Sequence, residues 1–183
     1  NKNSIISIGS TGFRGRPHAE ENALNFIKKR FVNSKIYLTL EPCSHNSIAT
    51  SCVEKIIQNK FIKVFYSVDD IDVRSRKLSN NILGRKNISV HKGLLYKKIH
   101  SFYRSYFKSK NDILPFVTCK LAISKDYYTV NIKNKWITNF FSRSRGHLIR
   151  SYNDCVITTS NTIIADNARF TCRINGLYDK SPS

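Results

Sequence analysis

His18 and Glu20 stand one residue apart in the run GRPHAEENAL, and Cys43 and Cys52 stand eight residues apart further along the chain. Together these four side chains can do chemistry that none can do alone. One imidazole and two thiolates supply three ligands to a tetrahedral zinc, and a catalytic zinc keeps its fourth position open for water. A carboxylate two residues beyond the histidine can lie beside such a metal without binding it. There it can carry a proton from the water to a leaving nitrogen. Each piece has an ordinary explanation when taken singly. HAE opens many surface helices, and free cysteines are commonly buried as small apolar residues. The layout joins them: His18 opens one predicted helix, Cys43 follows a predicted strand and Pro42, and Cys52 opens the next helix.

An α/β rhythm must bring these positions together. Ile5 to Gly9 reads as a strand, followed by a Gly-Phe-Arg-Gly-Arg-Pro loop. Ala19, Ala23, Leu24, Ile27 and Phe31 make one helical face after Pro17. Lys35 to Leu40 is a strand, and a helix starts near Ser51 with Val53, Ile56 and Ile57 apolar. Phe61 to Val68 reads as a strand, 77–84 as a short helix, and Ile88 to Val90 as a final strand. Leu94, Leu95, Ile99, Phe102, Tyr103, Tyr106 and Phe107 then form one amphipathic packing helix. The polar stretch Ser109 to Leu114, closed by Pro115, marks a domain boundary. Beyond it come a strand at Phe116 to Ile123, a helix over 139–150 and a strand at Cys155 to Thr158. So few elements in about 70 residues seldom complete a core, so this second unit is read as cut short.

Composition narrows the classes. The 183 residues carry 31 Lys+Arg against 12 Asp+Glu, a formal charge of +19. With 40% hydrophobic residues the chain has enough apolar material to fold. No apolar run is long enough to span a membrane, and no signal-peptide core is present. Ile, Asn and Lys are abundant throughout, so the charge reads mainly as a compositional bias that leaves a solvated basic surface, and nucleic acid is not expected as a partner. Five cysteines without small-scaffold spacing fit a reducing, cytoplasmic setting; Cys119, Cys155 and Cys172 read as unpaired thiols. The sequence contains no Met, which reads as a sign of an internal piece of a longer protein.

The H-x-E…P-C-x-x-C signature belongs to zinc deaminases; here its second half is stretched to Cys43-x8-Cys52. GRPHAEENAL, TLEPCSHNSIATSC and VEKII resemble the deaminase domain of the bifunctional riboflavin biosynthesis deaminase–reductase family, in which an insertion beginning PCSH separates the cysteine ligands by eight residues. PFVTCKLAISKD, KWIT, HLIR and the run from Asp154 to Arg173 resemble the start of that family's reductase domain. The resemblance covers nearly the whole chain. It implies a cytidine deaminase-like three-layer α/β/α domain over 1–108, including a linker helix. The start of a dihydrofolate reductase-like α/β domain would follow over 109–183. It implies His18, Cys43 and Cys52 as zinc ligands, Glu20 as proton shuttle and His45 near the pyrimidine. In the second unit it places Lys120 near the reacting sugar, Ala122, Trp136, Thr162 and Asp166 at NADPH, and Arg150, Phe170 and Arg173 at substrate. The implied reactions are hydrolytic deamination of 2,5-diamino-6-(5-phosphoribosylamino)pyrimidin-4-one and NADPH-dependent reduction of its ribosyl group. A homo-oligomer is compatible with this reading.

Four departures qualify it. The family's first helix and its Pro-Asn-Pro turn, whose Asn helps hold the pyrimidine, have no counterpart before His18. The G-[KR]-T-P-P of the insertion is Ser47-Ile48-Ala49-Thr50-Ser51, which removes a basic contact and a stiff Pro pair. The S-L-D-G turn is Ser124-Lys125-Asp126-Tyr127, and losing its Gly disfavours a positive φ; the serine two residues before Trp136 is Asn134. The glycine-rich cofactor loop of the reductase is absent, so weak or no NADPH binding is expected. The competing readings are another nucleotide or transfer-RNA deaminase, a structural zinc module on a nucleic-acid-binding protein, and a degenerate copy that keeps the metal without turnover.

Overall fold

The computed structural model describes residues 4–12, 15–27, 33–45, 50–129 and 136–182. The chain divides into two compact units, Asn1–Phe116 and Val117–Ser183. In the first, three strands form a parallel sheet in the order β1 (Lys35–Leu40), β2 (Lys63–Val68), β3 (Ser89–Lys92). Helices α1 (Ala19–Asn25), α2 (Cys52–Gln58) and α3 (Ser79–Gly84) alternate with the strands, and α4 (Tyr96–Phe102) and α5 (Arg104–Asn111) follow them.

Alternation along the strands decides which face is core. Val64 of β2 is fully buried, and Ile36 and Leu38 of β1 and Val90 of β3 lie on the same side. Against them pack Val53 and Ile56 from α2, Leu83 from α3, and Ile88. The other face carries Tyr37, Phe65 and His91, in register across the three strands and stacked with centroids 4.6 and 4.7 Å apart.

Several expected elements differ. Ile5 to Gly9 is not a strand. Its Ser7 hydroxyl donates to the Ala23 carbonyl (2.6 Å), so the segment lies along α1. A Cβ on Gly9 would come within 2.2 Å of the Ala19 carbonyl oxygen, so this close approach needs glycine. Helix α1 is shorter than its apolar stripe suggests: Phe26 caps it with its ring 75% exposed, and Phe31 lies outside the described residues. The single helix expected over 94–107 is two, meeting at Tyr103. Its apolar stripe includes exposed Leu94, Leu95 and Phe102 as well as half-buried Tyr103, Tyr106 and Phe107.

The second unit holds α6 (Phe140–Ser151), α7 (Ser160–Asp166) and a 3-10 turn (Tyr178–Lys180). The runs Phe116 to Ile123 and Cys155 to Thr158 form no strand. Neither has a ladder partner among the described residues, and an apolar run without one gains no inter-strand hydrogen bonds. Tyr127 takes φ 68 in the Ser124–Tyr128 turn, so the turn keeps a left-handed residue although its glycine is gone. Ile48 and Asn134 lie outside the described residues.

Candidate metal centre

Three chain segments deliver the donors. His18 is the N-cap residue of α1, so its ring stands at the helix mouth. β1 runs through Glu41 and Pro42 into Cys43. Ser51 caps α2 by accepting a hydrogen bond from the Glu54 N–H (3.2 Å), which starts the helix at Cys52. Two of the first N–H groups of α2, which have no partner inside the helix, go to Cys43. Cys52 N–H donates to its Sγ (3.3 Å) and Val53 N–H to its carbonyl (3.1 Å). An ion pair between Lys55 and Glu21 (2.9 Å) ties α2 to α1.

The donor atoms of His18, Cys43 and Cys52 all lie within 4.8 Å of one another, with both cysteines buried. His18 Nδ1 is 3.2 Å from Cys52 Sγ and 3.5 Å from Cys43 Sγ. Tetrahedral zinc with ordinary bond lengths sets such nitrogen–sulfur edges at about 3.6 Å. Electrostatics favour a cation as well. The Cys52 thiol beside it and the His18 ring pull the Cys43 thiol down to about 4, and the same Cys43 contact together with burial pushes Cys52 up. One proton therefore leaves the pair readily while the other is held, because two bare thiolates side by side repel. The hydrogen bond to Cys43 raises His18. A divalent cation offsets the charge of both thiolates, so this donor set fits zinc.

Glu20 sits in the first turn of α1, 8% exposed, and interacts with Cys52. Burial raises its carboxyl above the usual range. A carboxyl so placed holds a proton more tightly than an exposed one and can give it up again.

A second buried carboxylate, Glu41, was not singled out in the sequence. It is 2% exposed and receives the N–H groups of Asp70 (3.2 Å), Lys77 (3.0 Å) and Ser79 (3.4 Å), and the Ser79 hydroxyl (2.6 Å). It thus ties the cysteine loop to the segment after β2. The only local hint is an acidic residue directly between an apolar strand and Pro42. His45, half-buried, reaches the same segment through the Ser75 hydroxyl (2.7 Å). A cavity of about 220 Å³, lined in part by Asp69, Asp70, Tyr96, His100 and Phe107, lies where the end of β2 meets α4 and α5. Tyr106 donates to Asp70 beside it (3.0 Å).

In the second unit His147 gathers three neighbours: its Nδ1 lies 3.0 Å from the Thr171 carbonyl, 3.3 Å from the Arg173 N–H and 3.4 Å from Arg150 Nη1. Arg150 lies over the Phe170 ring at 5.4 Å. The structure thus gathers Arg150, Phe170 and Arg173. Lys120 is exposed and Ala122 half-buried on an irregular segment, and Trp136 lies under Arg143 (4.7 Å). Thr162 lies in the first turn of α7 with its N–H on the Thr159 hydroxyl (3.3 Å), and Asp166 ends that helix, exposed.

A parallel sheet whose adjoining helices open on His18 and Cys52, with a buried glutamate in the first turn of one of them, makes the first unit a cytidine deaminase-like α/β domain. Residues 1–68 match the family described as "Cytidine and deoxycytidylate deaminase zinc-binding region". Along almost its whole length the chain is similar to riboflavin biosynthesis protein RibD. It is 30% identical to that of Bacillus amyloliquefaciens over 175 residues, 94% of this chain and 47% of the relative. With that of Escherichia coli K12 it shares 27% identity over 179 residues, 97% of this chain and 49% of the relative. The solved diaminohydroxyphosphoribosylaminopyrimidine deaminase/5-amino-6-(5-phosphoribosylamino)uracil reductase of Thermotoga maritima superposes with a TM-score of 0.83 at 26% identity, covering 97% of this chain and 51% of that one. The chain is similar to RibD proteins along nearly its whole length and spans about half the length of the curated relatives it matches. Among the described residues no helix is long and apolar enough to cross a membrane.

Proposed function

We propose that residues 1–108 form a zinc-dependent deaminase of riboflavin biosynthesis, a hydrolase acting on the cyclic amidine of 2,5-diamino-6-(5-phosphoribosylamino)pyrimidin-4-one. The observation that carries this reading is the convergence of His18, Cys43 and Cys52 beside buried Glu20, in a chain similar to RibD proteins along nearly its whole length. His18, Cys43 and Cys52 hold the metal. When bound, zinc lowers the pKa of water to about 7 and so supplies a nucleophile at neutral pH. Glu20 accepts a proton at its carboxylate and returns it to the exocyclic nitrogen, which leaves as ammonia. Its burial keeps bulk water from competing for that proton. His45 contacts the pyrimidine.

Residues 109–183 supply the N-terminal part of an NADPH-dependent reductase domain. In such a domain Lys120 would lie near the sugar, Ala122, Trp136, Thr162 and Asp166 at NADPH, and Phe170 at the substrate with Arg150 and Arg173. This chain by itself should bind NADPH weakly or not at all. Guanidinium groups suit a phosphate ester because they offer two parallel donors. The protein acts in the cytoplasm, and self-association is compatible with this role. The test is ammonia release from the diaminopyrimidine by the zinc-loaded chain. Release that is abolished by a chelator and restored by zinc supports the proposal. A chain that retains stoichiometric zinc yet releases no ammonia overturns it.

A further inference from the structure

The segment after β2 meets a histidine of the metal loop at Ser75. Ser75 is fully buried. Its Oγ accepts the Ser44 N–H (3.3 Å) and lies 2.7 Å from His45 Nδ1. A serine hydroxyl has one proton to donate. Ser44 N–H is itself a donor, so among the described residues the acceptor available to that proton is His45 Nδ1. Were Nδ1 to carry the proton instead, the hydroxyl hydrogen would be buried without an acceptor, which folded proteins avoid.

We propose that Ser75 is a positioning residue that fixes neutral His45 as the Nε2–H tautomer. His45 then offers the substrate a hydrogen-bond donor and selects for an acceptor atom on the pyrimidine. Ser75 is fixed in turn by the segment that Glu41 anchors: Asp70, Lys77 and Ser79, on either side of it, are all bound to that one carboxylate. The Ser75 N–H donates to the Asp72 carbonyl (2.9 Å), and the Ser44 hydroxyl to the Arg74 carbonyl (3.3 Å). Three residues of the metal loop, Glu41, Ser44 and His45, thus reach the same ten-residue stretch. The substrate role of His45 rests on the deaminase reading above; the tautomer does not.

The test is nitrogen NMR of the zinc-loaded chain labelled in its five histidines, recorded above the ordinary histidine pKa, with His45 assigned by its loss in His45→Gln. Nδ1 of His45 should show the shift of an unprotonated ring nitrogen and Nε2 that of a protonated one. Ser75→Ala should move His45 toward a mixture of tautomers, and Ser75→Thr, which keeps the hydroxyl, should retain the original pattern. A protonated Nδ1 in the unsubstituted chain overturns the proposal, and that spectrum decides even if a variant fails to fold. With zinc content unchanged, Ser75→Ala should raise KM for the diaminopyrimidine about 3- to 10-fold, the worth of one hydrogen bond, with a smaller change in kcat. A shifted tautomer with unchanged KM removes the positioning role. If the unsubstituted chain releases no ammonia, the deaminase reading fails while the NMR still decides the tautomer.

Discussion

In the first unit His18 and Cys52 stand at the starts of helices, and the helix that carries Cys52 packs into the core. Cys52 opens α2, and Val53 and Ile56 of the same helix are 1% and 0% exposed in the core. In the second unit, Cys172 is the one buried residue among those described. Arg150 and the Arg173 N–H meet His147 there, and Phe170 meets Arg150, with no buried apolar cluster beside them among the described residues. Moving Cys52 means moving a packed helix. In the second unit, a side chain can move at the cost of a few part-buried hydrogen bonds, each worth about 1 kcal/mol. The first site is therefore pre-organised by packing and the second by local contacts alone.

The largest effect that would break this contrast is at Glu20. Replacing it by Gln keeps the shape and the zinc donors, and should lower ammonia release by about 10²- to 10⁴-fold, the usual worth of a positioned acid–base group. Zinc content, read by atomic absorption, should not change; if zinc is lost, Glu20 is a ligand. Stability should move the other way in the chelator-treated protein. Burial raises the folded-state pKa of Glu20, so its contribution to stability is present below the unfolded value and is lost as pH rises through the folded one. Gln carries no such penalty. The metal-free variant should thus melt higher than the metal-free parent at neutral pH, and the gap should close on acidification below the ordinary glutamate range.

Next in size is the core behind the donors. Ile56→Ala removes a fully buried side chain that packs in the cluster with Val53, Val64, Leu83 and Ile88. It should cost about 2–5 kcal/mol in urea unfolding and lower zinc affinity with it, because Cys52 rides on the same helix. An equivalent truncation of half-exposed Ile163 in α7 should cost under about 1 kcal/mol. Similar losses at both positions would remove the distinction between the two units.

How far the sequence could be read follows the same contrast. β1 and β2 are legible because apolar alternation is local and the partners are adjacent in the fold. The helix start at His18 is legible from Pro17, and the helix near Ser51 from apolar Val53, Ile56 and Ile57. The site histidine and cysteines were legible by type and spacing. Glu41 and Ser75 were not, because their partners lie 29–38 and 30–31 residues away and leave no periodic trace. The apolar runs at Ile5 to Gly9 and Phe116 to Ile123 show the converse. Apolar content marks a segment able to pair, but a strand exists only where a neighbour supplies the ladder. The break at Tyr103 was also hidden, since the apolar stripe continues across it.

A smaller effect tests the second unit on its own. Tyr127 holds φ 68 with its side chain 82% exposed, in a turn closed by hydrogen bonds between Ser124 and Tyr128. An L-residue with a β-carbon is disfavoured in that region by about 1 kcal/mol relative to glycine. Tyr127→Gly relieves that strain at once but gives the unfolded chain more freedom, so the net gain should be under about 1 kcal/mol. Thermal melts should show a small rise. A fall would mean that the ring makes a contact worth more than the strain.

The smallest effect lies between α1 and α2, where the Lys55–Glu21 pair bridges the two helices that present His18 and Cys52. Partly exposed pairs of this kind contribute about 0.2–1 kcal/mol. The hydrogen bond from Lys55 holds the Glu21 carboxyl below its ordinary value. Its stabilisation is therefore present above the unfolded pKa and lost as pH falls through the lowered, folded one. Lys55→Gln should lower the unfolding midpoint slightly at neutral pH, and the difference from the parent should fade in acid and in high salt. Zinc affinity gives the sharper reading. If packing alone pre-organises the centre, the variant should bind zinc as the parent does. If affinity falls with the pair, the approach of α1 to α2 is set by charge at the surface as well as by the core beneath it.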